Sequence, residues 1–129
     1  MAKRIMVVDD SRVVYAEMKK MLEGSDMEIC KFCRSGEEAL EAFEEAKPDL
    51  VTMDIVMPGM DGMEACQQLR QHYPEANVFM VSSMAYDDMI DRAVKLGARG
   101  FLFKPFTKES LLEGLQGAFK AIESEGEKE

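Results

Sequence analysis

The chain has few basic residues. Its 129 residues include 16 Lys and Arg against 25 Asp and Glu, a net charge of −9. That argues against a nucleic-acid surface, which needs clustered Lys and Arg. No apolar run approaches the roughly 20 residues of a membrane helix, and no signal-peptide pattern opens the chain, so membrane insertion is not expected. Three Cys have no disulfide-framework spacing, which suits a reducing cytoplasm. Cys30 and Cys33 spell C-x-x-C, but they fall inside a predicted strand, where residues three apart face opposite sides, so a redox pair is disfavoured. The one His, His72, stands at a polar helix end and suits surface solubility better than catalysis or phosphorelay. Internal repeats and Gly/Ser/Pro linkers are also missing.

What is present suits one compact domain with a real core: 47% of the residues are hydrophobic. The domain is expected over residues 1–122. The acidic stretch 123–129, ESEGEKE, is expected to fray as a solvated tail, and it resembles a natural terminus.

Strands and helices alternate along the chain. KRIMVV (3–8) reads as a buried strand, and Asp10 or Ser11 can cap a helix from Arg12 to Glu23 that uses Val13, Met18, Met21 and Leu22. A second strand spans Met27 to Cys33. Ser35 and Glu38 then form a capping box for a helix burying Ala39, Leu40 and Phe43. The third strand is Leu50 to Met53. Asp61 and Glu64 open the next helix, which ends near Tyr73. Val78 to Ser82 is the fourth strand, followed by a helix from Asp87 to Leu96 with Ile90, Ala93 and Val94 inward and Gly97 as its stop. Phe101 to Phe103 is the fifth strand, and Thr107 can cap a last helix with a wide apolar stripe from Leu111 to Ile122. Five alternating strands and helices predict an α/β fold, a parallel sheet with helices on both faces. The strand order 2-1-3-4-5 is adopted by analogy with doubly wound sheets of this kind.

In that order Asp9 and Asp10, Asp54, Ser82 and Lys104 end strands 1, 3, 4 and 5 and meet on one rim. Asp54 alone, before the turn formers Pro58, Gly59, Asp61 and Gly62, could be an ordinary loop-edge acid. Three clustered carboxylates repel, and the simplest remedy is a divalent cation; oxygen donors and water suit Mg²⁺. The carboxylates, Mg²⁺ and Lys104 sum to a neutral site. An acyl phosphate on Asp54 would bring roughly two negative charges, which the metal, the ammonium and the Ser82 hydroxyl can offset.

Asp9-Asp10, MDIVMPGMDG around Asp54, VSSMA (81–85) and KPF (104–106), in this order and spacing, resemble the receiver domain of two-component response regulators. The resemblance covers about Lys3 to Ile122, and the stand-alone CheY-like chemotaxis receivers look most similar. It implies a signalling receiver rather than an enzyme, one that assists its own phosphoryl transfer and dephosphorylation. By resemblance, Asp54 is the phosphoacceptor. Asp9, Asp10, Asp54 and the backbone carbonyl of Val56 hold Mg²⁺, and Ser82 and Lys104 contact the phosphoryl group. Phe101 holds the aromatic switch position, expected to fill space vacated behind Ser82, and Lys104-Pro105 the cis-proline position. The implied partners are a sensor histidine kinase, a downstream target such as the flagellar motor, and a phosphatase. The target would be read through the face of helix 4, strand 5 and helix 5; a monomer is expected. Departures are Ser for the commoner Thr at 82, Phe for the chemotaxis Tyr at 101, and apolar Val56 and Met84 where relatives often carry polar residues. They bear on switching and phosphate lifetime.

Other functions fit less well. A haloacid-dehalogenase-type phosphatase needs a second acid two residues after the nucleophile, where this chain has Val56. A flavin binder on the same sheet would be repelled at its phosphate loop by Asp9-Asp10. A scaffold receiver that is never phosphorylated, or a receiver cut from a longer regulator, remain open alternatives.

Overall fold

The computed structural model describes residues 2–84 and 86–127. Its five strands are β1 (Lys3–Val8), β2 (Met27–Cys33), β3 (Leu50–Asp54), β4 (Val78–Ser82) and β5 (Phe101–Phe103). The helices between and after them are α1 (Arg12–Met21), α2 (Gly36–Ala46), α3 (Gly62–His72), α4 (Asp87–Lys95) and α5 (Lys108–Glu127). All pairings are parallel and the order is β2-β1-β3-β4-β5, as expected. The central β3 and β4 are buried at every residue, which is why they read as continuous apolar runs and not as alternation.

Two apolar layers hold the helices to the sheet. α2, α3 and α4 cover the face that carries Met6, Val51, Met53 and Met80, through Phe43, Cys66, Leu69 and Ala93. α1 and α5 cover the face of Ile5, Val7, Leu50 and Val81, through Met18, Leu111, Leu115 and Phe119. Leu111 and Leu115 are fully buried; each such leucine stabilises the fold by about 2 kcal/mol. The expected caps form: Ser11, Ser35 and Asp61 each accept from the backbone N–H three residues on, at 3.3, 3.1 and 2.9 Å.

Four expectations need correction. Val13 is 65% exposed and Val94 69% exposed, so neither faces the core. The inward face of α1 runs through Val14 and Met18, and that of α4 through Met89, Ala93 and Leu96, at the 3-and-4 spacing of a buried helix stripe. Cys30 and Cys33 do not face opposite sides of β2. The β1–β2 register jumps between Ile5↔Ile29 and Met6↔Lys31, a bulge that makes Cys30 the extra residue and resets the alternation. Both thiols therefore pack on the α2 side. Burial raises both, Cys33 to about 11, so they stay protonated and poor nucleophiles. Finally, residues 123–127 are not a separate tail but continue α5, where Arg99 donates to Glu125 twice, at 2.6 Å. Residues 128–129 of the expected tail lie outside the described residues.

Candidate functional site

The carboxyl-terminal ends of β1, β3 and β5 deliver Asp9, Asp54 and Lys104 to one place because these three share strand parity. Asp9 continues the Ile5–Val7 row, and Lys104 continues from Leu102 on the same side. Asp54 is the last residue of β3, only 5% exposed, and Asp9 is equally buried. Carboxylate oxygens of Asp9, Asp10 and Asp54 lie within 4.8 Å of one another. Lys104 Nζ sits 2.7 Å from Asp9 Oδ2 and 3.4 Å from Asp54 Oδ1. The other Asp9 oxygen accepts the Ser11 N–H at 2.9 Å, which fixes the carboxylate. That orienting bond went unread in the sequence, although Asp-x-Ser is the spacing of an Asx turn.

The turn after Asp54 needs a glycine. A Cβ at Gly62 would collide with the Asp54 carbonyl oxygen, so only glycine lets the start of α3 close against the end of β3. Ile55 and Met57 anchor the loop in the core while Val56 faces solvent.

One ammonium among three carboxylates leaves the cluster short of positive charge. Burial, and then the charge of Asp9, push Asp54 up to about 6, with Lys104 pulling the other way. Oxygen-only donors this close, with a carboxylate held so high, fit a hard divalent cation such as Mg²⁺.

The remaining predicted residues are placed as follows. Ser82 is fully buried at the end of β4, and its hydroxyl accepts the Met84 N–H at 3.1 Å. Lys104 N–H donates to the Ser82 carbonyl at 2.8 Å, tying β5 to β4. The Lys104-Pro105 bond is cis. Phe101 is half-buried, and its register partner is Met80; the residue opposite Ser82 is Phe103. Val56 and Met84 are both exposed near the site. Ala85, the last residue of the VSSMA motif, lies outside the described residues.

Residues 5–116 match the family described as the response regulator receiver domain. The chain belongs to that family. The receiver is 39% identical over 117 residues to the chemotaxis protein CheY of Listeria monocytogenes, covering 91% of this chain and 98% of the relative. It is 35% identical over 120 residues to CheY of Thermotoga maritima, covering 93% and 100%. Among solved structures it resembles the CheX-CheY-BeF3-Mg²⁺ complex from Borrelia burgdorferi, with a TM-score of 0.86, 25% identity and coverage of 90% and 88%. The receiver is thus a CheY-type signalling module of the phosphorylation-activated response-regulator class. No described helix is long and apolar enough to cross a membrane.

Proposed function

We propose that this receiver is a Mg²⁺-dependent phosphoryl switch whose acceptor is Asp54 and whose donor is the phosphohistidine of a sensor kinase. The observation that carries the reading is the shared ammonium: Lys104 reaches both Asp9 and Asp54 inside a cluster of three carboxylates. Asp9, Asp10, Asp54 and the Val56 carbonyl would hold Mg²⁺, which supplies positive charge for the phosphoryl oxygens. An Asp54 oxygen attacks phosphorus; the new O–P bond forms as the P–N bond breaks, and the imidazole leaves with a proton from water. Lys104 is already beside Asp54 and would donate to the arriving phosphoryl oxygens. The Ser82 hydroxyl would turn from Met84 N–H to donate as well.

The resemblance to CheY proteins supports a chemotaxis pathway, with an output protein that reads the α4–β5–α5 face. A CheX-like protein is a further partner, on the analogy of the Borrelia complex. Val56 and Met84 offer no group to orient a hydrolytic water, so the acyl phosphate should persist.

The test is intact-mass analysis with a small phosphodonor. One phosphoryl group should add with Mg²⁺ present, and none in EDTA or in Asp54→Asn. A stable adduct on Asp54→Asn would sink the assignment. Followed in time, the same measurement reads the lifetime: Met84→Glu should lose the group faster than the wild type, and an unchanged decay would move control of water elsewhere.

A further inference from the structure

Mg²⁺ demands near-ideal octahedral geometry, so each carboxylate of a Mg²⁺ site has to be held in place. Two of the three acids here are held through their side chains. Asp9 Oδ1 accepts the Ser11 N–H at 2.9 Å, and Asp9 Oδ2 accepts from the Lys104 ammonium at 2.7 Å. Asp54 is buried at the end of β3, with Lys104 at 3.4 Å. Asp10 differs. It is the most open of the three, and among the described residues its carboxylate makes no hydrogen bond or ion pair. Its placement falls to its backbone.

That backbone has a partner 24 positions away: Arg34 Nη2 donates to the Asp10 carbonyl at 3.4 Å. The bond is long and the side chain exposed, but the base of Arg34 is fixed. Its own N–H donates to Glu38 Oε2 at 2.7 Å, while Ser35 Oγ accepts the Glu38 N–H at 3.1 Å. The Cys33 carbonyl, one residue before, accepts the Asp9 N–H at 3.0 Å. The end of β1 is thus joined to the end of β2 at two successive residues. The start of α2 is seated firmly as well. A Cβ at Gly36 would stand 2.9 Å from Ala65 Cβ and 3.0 Å from Met60 Sδ, so α2 is packed against α3 and the loop before it. Outer groups that orient a ligand are effective when their own supports are rigid.

A guanidinium beside this acid cluster also repels a metal cation. Acting by charge alone, Arg34 would weaken metal binding, and its removal would tighten it. Acting by holding Asp10, it would strengthen binding, and its removal would loosen it. The two roles differ in sign.

We propose that Arg34 is a positioning residue for the metal site: its bond to the Asp10 carbonyl sets the Asp10 carboxylate for Mg²⁺, against the repulsion of its own charge. This rests on the reading of the three acids as a Mg²⁺ site.

The test compares the full chain with Arg34→Met, which keeps an unbranched stem and removes both charge and donors. In EDTA, the Asp10 carbonyl carbon should shift in the NMR spectrum of the labelled variant. The urea midpoint should stay where it is, because Arg34 is exposed. Titration calorimetry with Mg²⁺ should show binding weakened several-fold, short of the roughly tenfold cost of a stronger outer partner. Affinity that is unchanged or tighter in Arg34→Met would overturn the positioning role and leave the metal site standing. So would an unmoved Asp10 carbonyl signal, or a lowered urea midpoint, which would make Arg34 a general stabiliser. A wild type that binds no Mg²⁺ would overturn the metal reading, and the role of Arg34 with it.

Discussion

The two rims of the sheet are both rich in charge, yet only one is short of counter-charge. At the amino-terminal rim Lys3, Arg4 and Arg99 each pair with a carboxylate, at 3.3, 3.8 and 2.6 Å. Arg4 N–H donates to Asp49 at 2.8 Å, and its guanidinium caps the Ala46 carbonyl at 2.7 Å. Arg99 bonds Asn77 at 2.9 Å and Glu125 twice, and the Glu125 bonds hold its pKa above the ordinary value. At the carboxyl-terminal rim three carboxylates cluster, and Lys104 pairs with two of them, Asp9 and Asp54. A groove of about 840 Å³ opens at the amino-terminal rim, lined by Lys3, Arg4, Asp49 and Phe119 among others. The groove lies at the end of the sheet where charge is matched, the carboxylate cluster at the end where it is not. Concavity and unbalanced charge point to opposite rims, and the proposed phosphoryl acceptor lies where the charge is unbalanced.

Removing the shared ammonium should have the largest effect. In Lys104→Met the buried Asp9 and Asp54 lose their one cation, and breaking such a pair costs about 3 kcal/mol. Urea unfolding in EDTA should show that loss, and added Mg²⁺ should recover part of it. Unchanged stability in EDTA would mean that the acid rim is not strained and that the contrast between the rims is false.

Asp54→Asn comes next and has the opposite sign. Asp54 titrates near 6 when folded, above the ordinary value of 3.8. The folded state therefore binds more protons between those values, and stability falls as pH rises through that window. Above about pH 6 the ionised Asp54 costs on the order of 3 kcal/mol. The Asn protein should be more stable by about that amount at pH 7.5, with the gain shrinking as pH falls from 6 toward 4. Unfolding midpoints across that range check this, and a gain independent of pH would assign it to packing instead.

The smallest effect is expected at the matched rim. Glu125 is 61% exposed on its side chain, so Glu125→Gln should cost less than about 1 kcal/mol, and high salt should erase most of the difference. A cost comparable to that of Lys104→Met would show that the amino-terminal rim is as dependent on charge as the other.

Much of the fold was legible in the chain. The boundaries of β1, β2, β4 and β5 follow from apolar runs between turn residues, and Ser11, Ser35 and Asp61 mark helix starts through bonds made within a few residues. The phosphoacceptor candidate and its acids were also readable, since carboxylates at strand ends stand out against apolar runs. Contacts that depend on register or on distant partners were not readable. One inserted residue at Cys30 reversed the facing of everything after it in β2, and no local pattern announces a bulge there. At the end of α5, Glu125 meets Arg99, 26 positions away, a partner no local pattern names.

The sequence by itself determined the alternation of elements, the helix caps and the set of acids at strand ends, because each rests on side chains that act on their own backbone or on a local period. The tertiary structure alone decided that Lys104 reaches Asp9, 95 positions away, at 2.7 Å, and that Phe101 pairs in register with Met80 and Phe103 with Ser82. Distances across a sheet are set by strand order and register, and register is fixed by the packing of whole faces.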